Sequence, residues 1–320
     1  MRAAVQSRYG GPEAVTITDR EVPQPGRGEV LLRVEAAAVD AGTVHLLEGR
    51  PSFIRLMMPL RGGRVIGGDV AGVVEAVGDG VHDLAVGDAV FGVAHGSGSL
   101  AERTVAAADR VVRRPDALTA AEAAALPISG SAAWRAVRAA GVSAGARVLV
   151  CGAGGGVGHL AVQIAKAEGA HVTAVCSAAK AHIAGEAGAD AIVDYAAEDA
   201  LARGPFDAIL DAGGHRPVSA MRRALVPGGA LVIIGSEPES AAMGGFGRSI
   251  GAGLINPFVG HRLIMLTSKE DRESLEALAA LAESGAVRPV ITRELPLEEA
   301  AEALRGLGRG RGAGKTVVRM

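Results

Sequence analysis

The stretch "VLVCGAGGGVGHLAVQIAKAEGAHV", residues 148–172, packs five glycines into the seven positions Gly152–Gly158. A glycine inside a regular element costs about 1 kcal/mol relative to alanine, so something must require the missing side chains. The run before it, "RVLVCG", has the apolar pattern of a strand, and the run from Val157 to Glu168 has that of a helix. A strand-to-helix turn is the setting that separates a dinucleotide fingerprint from a chance glycine cluster. Read as A-x-G-x-x-G, the motif is Ala153, Gly154, Gly155, Gly156, Val157 and Gly158. Gly155 lets the backbone approach a pyrophosphate, and Gly158 lets the helix pack closely on the strand. The N–H groups and positive end of the helix then hold the phosphates.

The same alternation continues downstream. "HVTAVCS", "AIVDY", "FDAILDAGG", "ALVIIGS" and "RLIMLTS" read as strands, with helices predicted around Ala178–Ala187 and Pro217–Leu225. Short turns between such units predict a parallel, doubly wound sheet. Upstream, "EVLLRVEAAAV", "RVIGGDVAGVVEAVG", "GDAVFGV" and "RTVAAADRVVRRP" are Val-rich runs bounded by Gly, Pro and Asp, the texture of a β-barrel-like domain. After Pro115 comes a helical stretch broken at Pro127 and ending at Gly141. From Glu270 an amphipathic helix carries Leu275, Leu278 and Leu281, and "RPVITRELPL" and "KTVVRM" return to β structure. The fold class is therefore α/β in two domains: 1–115 with 269–320 as the barrel, and 116–268 as the cofactor domain.

Charge and composition narrow the setting. A net charge of −2 over 320 residues gives no reason to expect nucleic acid or an anionic membrane as partner. The basic tail "RGLGRGRGAGKTVVRM" has no interleaved aromatic and reads as a loop beside a strand rather than an RNA-binding segment. No apolar run approaches the roughly 20 residues of a membrane span. Two cysteines describe a reducing compartment, and the expectation is a cytoplasmic protein.

The second strand indicates which nucleotide. An NAD-specific site carries Asp or Glu about 20 residues past the glycines, on the ribose 2′-hydroxyl. No carboxylate lies between Glu168 and Glu186; Ser177 and Lys180 hold that place, and Tyr195 closes the next strand. A hydroxyl and an ammonium suit a 2′-phosphate, so the cofactor is expected to be NADP(H). Lys180 also reads as an ordinary solvated helix residue. Gly235, closing "ALVIIGS", completes the cofactor set.

At this point the sequence resembles the medium-chain dehydrogenase/reductase superfamily, in its zinc-free quinone oxidoreductase branch. The resemblance rests on "YGGPE", "GGDVAGVVEAVG", "VGDAVFG", "LPISGSAAW", the glycine stretch, "GADAIVDY", "FDAILDAGG", "VPGG" and "GAGKTVV". It implies a GroES-like β-barrel with the catalytic residues, a Rossmann domain, and a homodimer joined through the edge strand near "HRLIMLTS". It also implies that Lys315 approaches the cofactor, and that "LINPFVGHR", with Asn256 and Phe258, forms the loop across the nicotinamide.

Zinc-dependent relatives have Gly-His-Glu where this chain reads Gly67, Gly68, Asp69, so the imidazole is missing. His45 with Asp40 and Asp69 is the one trio left that matches the three ligands of a catalytic zinc; the expectation is nevertheless no metal. Without a Lewis acid, hydride transfer favours an acceptor already electron-poor, a quinone or an α,β-unsaturated carbonyl compound. The cleft segment "VDAGTVHLLEG" departs from the branch, which usually has Asn where Asp40 stands and Asp where Thr43 stands. An ionised Asp40 accepts hydrogen bonds but donates none to an oxyanion. Either burial raises its pKa, or it acts as base or substrate anchor, or Thr43 or His45 supplies the donor; Asp40 also reads as a turn residue satisfied by backbone N–H groups. Relatives often carry Thr where Ala132 stands, and Ser129 or Ser131 is the compensating hydroxyl. Two further functions stay open: a zinc-free alcohol or enone oxidoreductase of one biosynthetic step, and a non-catalytic NADPH-binding redox sensor.

Overall fold

Pairing of the Val-rich runs organises the first half of the chain. In the computed structural model, which describes residues 1–60, 62–95, 98–214, 216–234, 260–267, 269–307 and 312–320, two compact units form. The first comprises Met1–Ser131, Lys269–Gly285 and Ile291–Met320, and the second Ala132–Ser268 and Ala286–Val290. The first unit thus runs past residue 115, the expected boundary, to Ser131.

In the first unit, β1 (Arg2–Gln6), β2 (Val15–Asp19) and β4 (Arg64–Val65) make a three-stranded sheet, order β2-β1-β4. A seven-stranded sheet takes β3 (Glu29–Val39), β5 (Asp69–Val77), β6 (Ala89–Val93), β7 (Arg103–Ala107), β8 (Val111–Arg113), β15 (Ile291–Pro296) and β16 (Lys315–Arg319). Its order is β15-β16-β3-β5-β6-β8, with β7 added on β3. Val30, Leu32 and Val34 of β3 alternate inward to meet Val70, Val74, Val90 and Val111. The helices here are α1 (Ala41–Glu48), α2 (Ile54–Met57), α3 (Ala120–Ala124), α8 (Arg272–Glu283) and α9 (Ala300–Arg305). Thr119 and Glu122 close a capping box on α3, and Asp271 caps α8 by accepting from the Ser274 N–H. β1 and β2 fall in short stretches for which the sequence pattern predicted no strand.

In the second unit, β9 (Arg147–Cys151), β10 (His171–Cys176), β11 (Ala191–Asp194), β12 (Phe206–Asp211), β13 (Leu225–Ile233) and β14 (Arg262–Met265) form a parallel sheet in the order β11-β10-β9-β12-β13-β14. Counted from β9, this is 3-2-1-4-5-6, the order of a dinucleotide-binding sheet. Leu149, Val175, Val193, Ile209, Leu231 and Leu263 form its core, which is why its strands read as continuous apolar runs. After α4 (Pro127–Ala140), which starts at the predicted break, the helices are α5 (Gly158–Ala167), α6 (Ala181–Glu186) and α7 (Val218–Arg223).

Inside the barrel two opposite charges meet away from water. Lys315 opens β16, Asp69 opens β5, each is 1% exposed, and their side chains approach to 3.1 Å. Burial pushes the Asp69 carboxyl up from 3.8 to about 7; the Lys315 ammonium pulls it down, and Asp40 adds to the rise. Such a pair is a poor source of net stability, but removing one partner strands the other and costs about 3–5 kcal/mol. Asp69 binds its proton more tightly folded than unfolded, so its ionisation removes stability as pH rises from its unfolded value towards 7. Taking away the ammonium raises that folded pKa further. Lys315→Met is therefore expected to lose stability by a margin that stays level below pH 7 and grows above it, by up to about 1.4 kcal/mol per pH unit. Denaturant unfolding of both proteins from pH 5 to 9 checks this; a pH-independent difference would contradict it.

Candidate active site

The first cluster of chemical groups forms where β3 gives way to α1. Asp40 is the N-cap of α1, in extended conformation, and its Oδ1 accepts from the Thr43 N–H at 2.7 Å and the Thr43 hydroxyl at 2.9 Å. The sequence alternative of a turn carboxylate satisfied by backbone N–H is what these bonds describe. Two consequences follow for the expected oxyanion donors. Thr43 spends its hydroxyl proton on Asp40, while Asp40 Oδ2 takes no hydrogen bond among the described residues. His45, half-buried, lies further along α1.

A second cluster surrounds the buried pair. Lys315 Nζ donates to Ser129 Oγ at 3.0 Å as well as to Asp69 Oδ2, and Asp69 Oδ1 accepts from the Ile128 N–H at 2.8 Å. The first turn of α4 and the openings of β5 and β16 are thereby tied together. Ser129 is 1% exposed and Ser131 wholly buried, with the Ser131 Oγ unpartnered among the described residues. Both hydroxyls therefore lie in the interior. Lys315, expected by resemblance to approach the cofactor, has its ammonium on Asp69 and Ser129. The sequence pattern missed the Asp69–Lys315–Ser129 network because its members are far apart in the chain; the one signal was an acid and a lysine inside apolar strand runs.

Metal chemistry was tested against the same residues. Gly68 carries no side chain to ligate with, and both Asp69 oxygens are engaged, by Lys315 and by the Ile128 N–H. Among the described residues no three His, Cys, Asp or Glu side chains are grouped to hold an ion. These residues do not fit a zinc site.

The glycine loop lies at the carboxyl end of β9. Gly152 has φ of +79°, where a side chain would be strained, and any Cβ on Gly158 would collide with the Gly152 carbonyl. Ala153, Gly154 and Gly158 are buried, whereas Gly155, Gly156 and Val157 remain half-exposed. A Cβ on Gly155 would meet only the Gly152 oxygen, at 3.3 Å, and no side chain caps the start of α5. The loop therefore offers backbone N–H groups and a helix N-terminus to an anion, and it fits a nucleotide diphosphate.

Next to it, Lys180 packs over Gly154, whose absent Cβ makes room for the lysine stem. Ser177 follows the last residue of β10 and accepts from the Lys180 N–H at 2.9 Å through its carbonyl. Tyr195 N–H donates to the Cys176 carbonyl at 3.2 Å, which brings the 60%-exposed ring to the same end of the sheet. Lys180 thus lies against the loop, while Ser177 and Tyr195 follow the ends of neighbouring strands at the same edge of the sheet. Gly235, Asn256 and Phe258 lie outside the described residues.

Comparison with known proteins agrees with this architecture. Residues 26–116 match the alcohol dehydrogenase GroES-like domain family, and residues 187–318 the zinc-binding dehydrogenase family. The chain is 34% identical over 332 residues to a chloroplast envelope quinone oxidoreductase homolog of Arabidopsis thaliana, covering 99% of this chain and 98% of that protein. It is 30% identical over 332 residues to a 2-methylene-furan-3-one reductase of Solanum lycopersicum, covering 99% of this chain and 79% of that protein. The quinone oxidoreductase structure from Coxiella burnetii superposes with a TM-score of 0.85 at 28% identity, covering 100% of this chain and 99% of that one. A 3-2-1-4-5-6 sheet with a glycine loop on β9, a barrel built on β3 and β5, and end-to-end similarity lead to one assignment: the chain belongs to the medium-chain dehydrogenase/reductase superfamily, in its quinone oxidoreductase-like branch, and is an oxidoreductase using a nicotinamide cofactor.

Proposed function

We propose that this protein is a zinc-independent, NADP(H)-dependent oxidoreductase acting on a quinone or on the activated double bond of an α,β-unsaturated carbonyl compound. The observation that carries the reading is Lys180 lying over Gly154 of the phosphate loop, with Ser177 where an NAD-specific site has its carboxylate. Ser177, Lys180 and Tyr195 would hold a 2′-phosphate, and the N–H groups of Gly156–Gly158 the diphosphate. The bound nicotinamide supplies a hydride. Everything else falls to the chain.

Gly68 offers no ligating side chain and both Asp69 oxygens are engaged, so on this reading the substrate carbonyl receives no Lewis-acid help. An electron-poor acceptor then fits best, because its conjugation carries the charge that hydride addition leaves on oxygen. That oxygen requires a proton. Solvent supplies it: a water that donates one hydrogen to Asp40 Oδ2 gives its other proton to the new oxyanion and regains one from bulk water. In the opposite direction Asp40 is the base that takes an alcohol's proton. Its acceptor-only chemistry favours that second reading, oxidation of an alcohol in one biosynthetic step. Turnover of a quinone and enone panel with NADPH, against alcohols with NADP+, separates the two. We also infer a homodimer through β14, which among the described residues pairs only with β13 and leaves Met265 48% exposed at the sheet edge.

Two variants test the assignments. Lys180→Ala is expected to weaken NADPH binding about tenfold while leaving NADH within about twofold, as measured by calorimetry; equal losses for both would remove the 2′-phosphate role. Asp40→Asn retains a good helix cap, so its melting temperature should hold, while kcat/KM falls by about a hundredfold for loss of a proton-transfer group. Unchanged turnover would show that Asp40 is only a cap.

A further inference from the structure

A histidine buried beneath the phosphate loop has no part in the chemistry above. His159 lies in the first turn of α5 with no exposed surface. Its Nε2 accepts from the Val290 N–H at 3.1 Å. Because that nitrogen is an acceptor, a neutral ring carries its proton on Nδ1, which stands 2.8 Å from the Gly155 carbonyl. The same carbonyl also accepts from the His159 backbone N–H at 3.2 Å. One turn further along α5, Gln163 pairs with both peptide groups of Arg288: its Nε2 donates to the carbonyl at 2.9 Å and its Oε1 accepts from the N–H at 2.7 Å. Ala286–Val290 therefore runs along α5 as a strap held at two successive turns.

Resting on the nucleotide reading above, we propose that His159 is a positioning residue that presets the Gly156 N–H for the cofactor diphosphate. In a trans peptide the N–H points opposite to the carbonyl of the preceding residue. Fixing the Gly155 oxygen inward, on two donors from one residue, fixes the Gly156 N–H outward, on the half-exposed side of the loop. Gly155 and Gly156 lack the side chains that would otherwise limit how this peptide plane turns. The imidazole restores the restriction without filling the space the diphosphate requires. Val290, by donating to Nε2, holds the ring in the tautomer that can do this.

Two isosteres divide the two hydrogen bonds. His159→Asn places an amide N–H near the Nδ1 position and keeps the bond to Gly155; His159→Gln places an acceptor near Nε2 and keeps the bond to Val290. Calorimetry with NADPH and with ADP-ribose, alongside melting temperatures without nucleotide, reads them out. Asn should bind both ligands within about twofold of the parent, whereas Gln should lose about five- to tenfold for both while melting no lower than Asn. Nitrogen-15 spectra of the parent should show a neutral ring protonated on Nδ1. Gln binding as well as Asn, or a ring protonated on Nε2, would overturn the proposal. Failure of the parent to bind any pyridine nucleotide would sink the nucleotide reading itself, and this inference with it.

Discussion

The carbonyl of Gly152 and the first residue of α5 approach so closely that no atom heavier than hydrogen fits on the Gly158 Cα. From that contact the second unit takes its form. A helix seated this tightly starts after the six residues that follow β9, with its uncapped N–H groups at the carboxyl edge of the sheet. The sheet order then reverses at the same place, β10 going to one side of β9 and β12 to the other. A crevice at such a reversal is where doubly wound sheets bind ligands. The glycines are expensive in conformational entropy, and the chain recovers order through buried contacts: Lys180 over Gly154 and His159 under Gly155.

The barrel follows a different logic. Its strands enclose a core of valines, and at the openings of β5 and β16 the chain also buries Asp69 and Lys315, with Ser129 beside them. An apolar trio would serve packing as well or better. What the polar trio adds is geometry: Asp69 is bonded to the backbone of Ile128 at the start of α4, and Lys315 bridges Asp69 and Ser129. It also adds field, since Asp40 lies near enough to raise the Asp69 pKa. The α1 cap and the buried pair are thus electrostatically linked within one unit, and the carboxylate argued to handle the substrate proton is one member of that link.

Much of this was legible in the residue order. "EVLLRVEAAAV" is β3 from end to end, and the glycine stretch names its own strand, turn and helix, because both signals are local and periodic. Ser177, Lys180 and Tyr195 could be placed because parallel strands bring their carboxyl ends to one edge. The pairing of Lys315 with Asp69 was not legible: the two are 246 positions apart, and no spacing rule spans that distance. His159 shows the opposite difficulty, since its partner Gly155 is only four residues off. A single histidine on the buried side of a helix resembles any satisfied core residue until Val290 fixes its tautomer.

The central claim is that hydride leaves a nucleotide held by the 153–158 backbone and reaches an electron-poor acceptor with no metal to assist. Single-turnover transfer from C4-deuterated NADPH to an enone, with protein whose zinc content has been measured and removed by chelation, addresses this directly. The account predicts deuterium on the β-carbon of the product from metal-free protein. Transfer seen only after zinc is restored, or deuterium absent from the product, would contradict it.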